Sequence, residues 1–139
     1  MKTRTTLKSS LQIFAIAALF VVGTVDLAAA DVTPTTKDIN IGVNDVYVPG
    51  GFDSHADSYV IANGLFPNGC YKWKTANVNH VDTFTHEVQP VATVSQGMCI
   101  MVLVPFSKEI RLGKLATGTH TLKFLNGDGT YLQKSMSIE

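Results

Sequence analysis

The chain predicts an all-β fold, an antiparallel sandwich of seven or eight strands carrying one disulfide. Three observations point there. From Ile39 onward, short runs rich in Val, Ile, Thr, Tyr and Phe are interrupted every eight to twelve residues by Gly, Pro, Asn or Asp, the spacing of strands and turns in a sandwich or barrel. No window keeps apolar residues at i, i+3, i+4 and i+7 without a breaker, so no amphipathic helix is expected. Two cysteines, Cys70 and Cys99, follow an N-terminus that reads as an export signal, and paired thiols in an oxidising compartment become structural disulfides.

The signal occupies residues 1–30. Lys2, Arg4 and Lys8 precede an apolar run from Leu11 to Val25, and Ala28-Ala29-Ala30 offers a small-residue cleavage pattern. A run of about fifteen residues is shorter than the roughly 20 that span a bilayer, so no stable membrane insertion is expected after cleavage, and the protein is expected in the periplasm or secreted. Residues 31–37, with Pro34, read as a flexible leader, and 38–139 as one β-sandwich domain. The mature part carries 8 basic against 10 acidic residues, a net charge of −2. Its cations are scattered singly between Lys37 and Lys134, which excludes a nucleic-acid stripe and a membrane-surface patch. A bridge closing 29 positions from Cys70 to Cys99 is expected to contribute roughly 3 to 4 kcal/mol.

The elements follow in order. Ile39 to Val48 reads as the first strand, stopped by Pro49-Gly50-Gly51, and Ser58 to Phe66 as the second. Pro67-Asn68-Gly69 makes a turn into Cys70 to Thr75, since Pro fixes its own φ and Asn or Gly tolerates a positive one. Asn79 to Glu87 forms a fourth run, and Val91 to Ser95 a fifth after Pro90. Met98 to Val104 is apolar on both faces, which suits a central strand covered on both sides, or one whose outer face meets a partner. Glu109 to Leu112 is a short strand, and a hairpin from Thr119 to Leu125 and Thr130 to Ile138, joined by Asn126-Gly127-Asp128-Gly129, ends the chain.

Arg111-Leu112-Gly113-Lys114-Leu115, leading through Gly118-Thr119-His120-Thr121-Leu122 into a Gly-rich hairpin, resembles the last strands of secreted bacterial immunoglobulin-like or fibronectin-like domains. Val48-Pro49-Gly50-Gly51-Phe52-Asp53, Asn68-Gly69-Cys70-Tyr71 and Val104-Pro105-Phe106 look like small exported proteins of Gram-negative bacteria. The resemblance implies an immunoglobulin-like sandwich and transfers no functional residue. Trp73 stands three residues after Cys70, and Gly97 occupies the place of the tyrosine corner, so the disulfide topology departs from true immunoglobulin domains.

His80, Asp82 and His86 are the strongest chemical constellation: on one extended strand they share a face, and imidazole with carboxylate suits zinc or copper(II). The plainer and favoured reading is a solvated edge-strand face. Asp53, His55 and Asp57 form a polar triple in a loop, suited to a hard cation or, more simply, to capping its own turn. Met98, Cys99 and Met101 suggest copper(I), but alternation points Met98 away from the other two, which favours core packing. Tyr71 and Trp73 share a face, near Tyr59 and Phe66; core is the default, and a binding platform the alternative.

No Gly-x-Ser-x-Gly elbow, phosphate loop or CxxC pair occurs, so catalysis is not expected and no cofactor is called for. The expected function is a non-catalytic binding or structural module of the bacterial envelope. Its expected partner is a protein or envelope component, with a homodimer as one form. A metal-binding protein and a small hydrolase with an unrecognised site are the alternatives.

Overall fold

The computed structural model describes residues 33–139; the signal expected over 1–30 lies outside them. The described chain forms eight strands: β1 Thr36–Asn40, β2 Asp45–Tyr47, β3 Ser58–Phe66, β4 Tyr71–His80, β5 Thr85–Ser95, β6 Val104–Gly113, β7 Gly118–Leu125 and β8 Tyr131–Ile138. They make a five-stranded and a three-stranded sheet, and the two share one core. The fold is the all-β sandwich expected, with its Cys70–Cys99 disulfide in place, Cα atoms 5.2 Å apart. Among the described residues no helix is long and apolar enough to cross a membrane.

β5 is the hub of the larger sheet. β4 runs antiparallel along one edge from Tyr71 to His80. The other edge is shared: β7 pairs in parallel with Thr85 to Val88, and β1 pairs antiparallel with Val91 to Ser95. β8 continues the sheet beyond β7. Pro90 sits where one neighbour hands over to the other. Its carbonyl accepts the Ile41 N–H on that edge, so its missing donor falls in the gap between ladders, where none is needed. The Gln89 amide fills that gap by donating to the carbonyls of Ile41, Pro90 and Leu125. A proline read as a strand boundary is therefore a buried strand interior, and β5 runs unbroken for 11 residues.

The smaller sheet has the order β2-β3-β6. β3 alternates strictly between buried positions and partly or fully exposed ones, placing Ser58, Val60, Ala62, Gly64 and Phe66 inward. Phe106 on β6 lies over Gly64, its cross-strand partner, where any Cβ would strike the ring. Facing these residues, Val88, Ala92, Leu122, Phe124, Met136 and Ile138 come from the larger sheet.

Three further expectations about elements need correction here. The run Ile39 to Val48 is two strands, because the chain crosses from one sheet to the other between them, with Asn126 packed under Gly42 where a side chain would not fit. Thr36 and Lys37, expected in the leader, pair with Ser95 and Val94. The third correction is the largest: Met98 to Leu103 is not a strand. β5 ends at Ser95 in one sheet and β6 begins at Val104 in the other, so this segment is the connection across the end of the sandwich. Its side chains have no sheet to face, and Met98, Ile100, Met101, Val102 and Leu103 are each more than half exposed.

Candidate functional site

Two places stand out. The first is the apolar connection itself. Cys99 ties it to Cys70 in the turn just before β4, and the Ile100 carbonyl accepts the N–H groups of Gly69 at 2.9 Å and Val102 at 3.0 Å. The segment is thus held at both backbone and sulfur while its apolar side chains point outward. Cys99 is spent in the disulfide, so the copper(I) set of Met98, Cys99 and Met101 has no thiolate.

The second is a chain of three histidines at the β4–β5 hairpin. Sequence reasoning put His80, Asp82 and His86 on one strand; instead Val81 to Phe84 turn, with Val81 and Asp82 N–H groups donating to the Thr85 carbonyl, and His80 pairs across the hairpin with His86. Their Nδ1 atoms lie 2.7 Å apart. His86 is buried and its Nε2 lies 2.8 Å from Nδ1 of His120, also fully buried, on the parallel neighbour β7. His120 Nε2 lies 2.7 Å from the Ala116 carbonyl oxygen.

The tautomers of the neutral chain follow from its end. A carbonyl only accepts, so His120 carries its proton on Nε2 and offers a lone pair at Nδ1. His86 Nε2–H donates to that lone pair, leaving His86 Nδ1 as acceptor, and His80 Nδ1–H donates to it. Every buried imidazole nitrogen is satisfied, which is what allows two histidines inside an apolar core.

Local structure fixes these rings. Gly118 opens β7 with φ +138°, a conformation L side chains rarely adopt, and a Cβ there would lie 2.9 Å from the Phe84 ring. Phe84 in turn packs against His120, ring centres 5.2 Å apart, and its carbonyl accepts the Thr121 N–H at 2.7 Å. Asp82 accepts the Phe84 N–H at 2.7 Å. That bond first, then one to the Thr85 hydroxyl, holds its carboxyl below the usual carboxylate range. His80, Asp82, Thr83, His86, Lys114, Leu115 and Ala116 line a shallow pocket of about 210 Å³. Among the described residues no three histidine, cysteine or acidic side chains are placed to hold one metal ion together.

Burial pushes the His86 imidazole below its ordinary pKa of 6.5; the neighbouring His80 and His120 add to the effect and Asp82 opposes it. A histidine whose folded pKa is depressed binds fewer protons folded than unfolded, so its contribution is present above pH 6.5 and is lost as pH falls through the lower folded value. The denaturation midpoint is therefore expected to fall below pH 6.5, and His86→Leu to flatten that dependence. Urea titrations between pH 7.5 and 5 check this. The carboxyls of Asp38, Asp45, Asp82 and Asp128 are also held low, below 3.8, so their loss falls in a separate, more acidic window.

The remaining sequence candidates sit elsewhere. Asp53 accepts the N–H groups of His55 at 2.8 Å and Ala56 at 2.9 Å, capping its own turn, and His55 is exposed. Tyr71 and Trp73 pack on the core: Tyr71 stacks with Phe66 and Trp73 meets Phe106, ring centres 5.9 and 5.4 Å apart. Trp73 also lines a cleft of about 300 Å³ with Lys74, Glu109 and Arg111. His120 was missed as a site residue. The signal was available: Leu122 and Phe124 mark the inward face of β7, and one step back along that face is His120.

Two packed sheets with a bridged inter-sheet connection define a β-sandwich domain protein. A family model, the ORF11 beta-sandwich domain, matches residues 60–137, from β3 into β8 and over more than half of the chain. This chain belongs to the ORF11 β-sandwich domain family. No curated protein and no solved structure is significantly similar to it.

Proposed function

We propose that this protein is an exported module of the bacterial envelope, periplasmic or secreted and immunoglobulin-like in fold, that works without catalysis by docking the Met98–Leu103 connection onto a partner protein. The observation carrying the proposal is the outward display of five apolar side chains on a backbone pinned by Cys70–Cys99. Scattered exposed hydrophobics are ordinary, whereas a contiguous set marks interaction surfaces. No charged residue occurs between Glu87 and Lys108, so the matching surface is uncharged and apolar. A bridge that restricts the loop beforehand lowers the ordering cost of binding. Export is supported by the basic-apolar-small pattern of residues 1–30 and by a disulfide, which persists in oxidising compartments.

Catalysis is the weaker reading. The histidine pocket holds two perturbed groups, Asp82 and His86, but the first caps a turn and the hydrogen-bond partners of the second are two other imidazoles, not a hydroxyl or thiol.

Ile100→Glu is expected to leave stability within about 0.5 kcal/mol, as surface changes usually do, and to abolish binding. A photo-crosslinking residue at position 101 in the producing cell should yield one defined protein adduct, lost in Ile100→Glu and absent when the label sits at Asp128. No adduct, or one only between copies of this chain, would overturn the proposal.

A further inference from the structure

We propose that His80 and His86 form a two-imidazole site for zinc or copper(II), with His120 and the Ala116 carbonyl as its supporting shell. The tautomer chain leaves His86 Nδ1 as a lone pair aimed at His80 Nδ1, 2.7 Å away. Metal-binding histidines characteristically donate their other ring N–H to an acceptor that fixes tautomer and ring orientation. His86 already does so through Nε2–H to His120, itself anchored on Ala116. The ring is therefore set in the form a metal requires before any metal arrives.

Binding needs one proton relocated and no net release. The His80 proton moves from Nδ1 to the other ring nitrogen by exchange with water, and both Nδ1 lone pairs then face the ion. Two nitrogens held about 2.0–2.1 Å from a tetrahedral ion stand about 3.3 Å apart with the ion off the line that joins them, so one ring must swing sideways as well as part from the other by roughly 0.6 Å. His80 is exposed at the end of the hairpin and is the ring that moves; His86 is buried and stays. Lys114 shares the pocket and opposes a cation, while Asp82 in the same pocket offsets it. Water completes the coordination, since no three protein ligands converge among the described residues.

Calorimetry on the full chain with its disulfide intact, titrated with zinc chloride at pH 7.5, should show one site. His80→Ala and His86→Ala should each weaken it at least tenfold, whereas His55→Ala, removing an exposed loop histidine, should change nothing. His120→Leu should cost about 10- to 100-fold, the range for supporting-shell changes, and His120→Gln, whose amide both accepts and donates, should recover most of the loss. With copper(II), electron paramagnetic resonance should show coupling to two imidazole nitrogens, reduced to one in His80→Ala. Absence of heat with either ion, or unchanged affinity in His80→Ala, whose exposed position spares the fold, would overturn the site.

Discussion

Replacing Cys70 and Cys99 together by alanine is expected to lower stability by about 3 to 4 kcal/mol, the chain-entropy value for a bridge separated by 29 positions. Small domains hold roughly 5–15 kcal/mol in total, so the loss is a large share. It also has a specific local consequence. The bridge joins the connection between the sheets to the turn before β4, and without it the segment Met98–Leu103 keeps, among the described residues, one backbone hydrogen bond to the rest of the fold, from the Gly69 N–H to the Ile100 carbonyl. Proteolysis of the double variant should therefore cut within 98–103 first, well below its global unfolding midpoint. Urea denaturation and limited proteolysis with fragment masses check both parts. An unchanged midpoint would mean that the connection is held by packing alone.

Phe124→Ala is expected to cost about 3 to 5 kcal/mol, the range for emptying an aromatic site in a core. Phe124 is fully buried on β7, directly opposite Val88 on the parallel neighbour and Leu132 on β8. The parallel ladder it supports is only four residues long, Thr85 to Val88 against Thr121 to Phe124. A cavity there loosens the seam between His86 and His120, so the acid dependence of stability should weaken along with stability itself. Phe124→Leu, closer in volume, should cost less, about 1.5 kcal/mol or under. Urea midpoints of both variants at pH 7.5 and 5.5 read the two effects separately.

Legibility in the sequence followed local chemistry. β3, β7 and β8 were readable because apolar alternation and turn residues act over a few positions, and β3 was recovered from Ser58 to Phe66. Pro90 misled because its cost depends on which neighbour needs its N–H, and the handover from β7 to β1 removes that need. His80 and His86 were singled out for a shared strand face, yet they meet through a hairpin turn; His120 joins them from 34 residues beyond His86.

The all-β class, the bridge between Cys70 and Cys99 and the strand-forming runs were legible from neighbouring residues alone, since propensity and turn chemistry act over a few positions. That the most apolar segment lies outside the core, and that three distant imidazoles form one hydrogen-bonded chain, emerges only once the sheets are assembled. The physical reason is the same for both. An uninterrupted apolar run carries no periodicity to say which sheet, if any, will cover it, and a histidine's tautomer and partners depend on strands that pair across the fold.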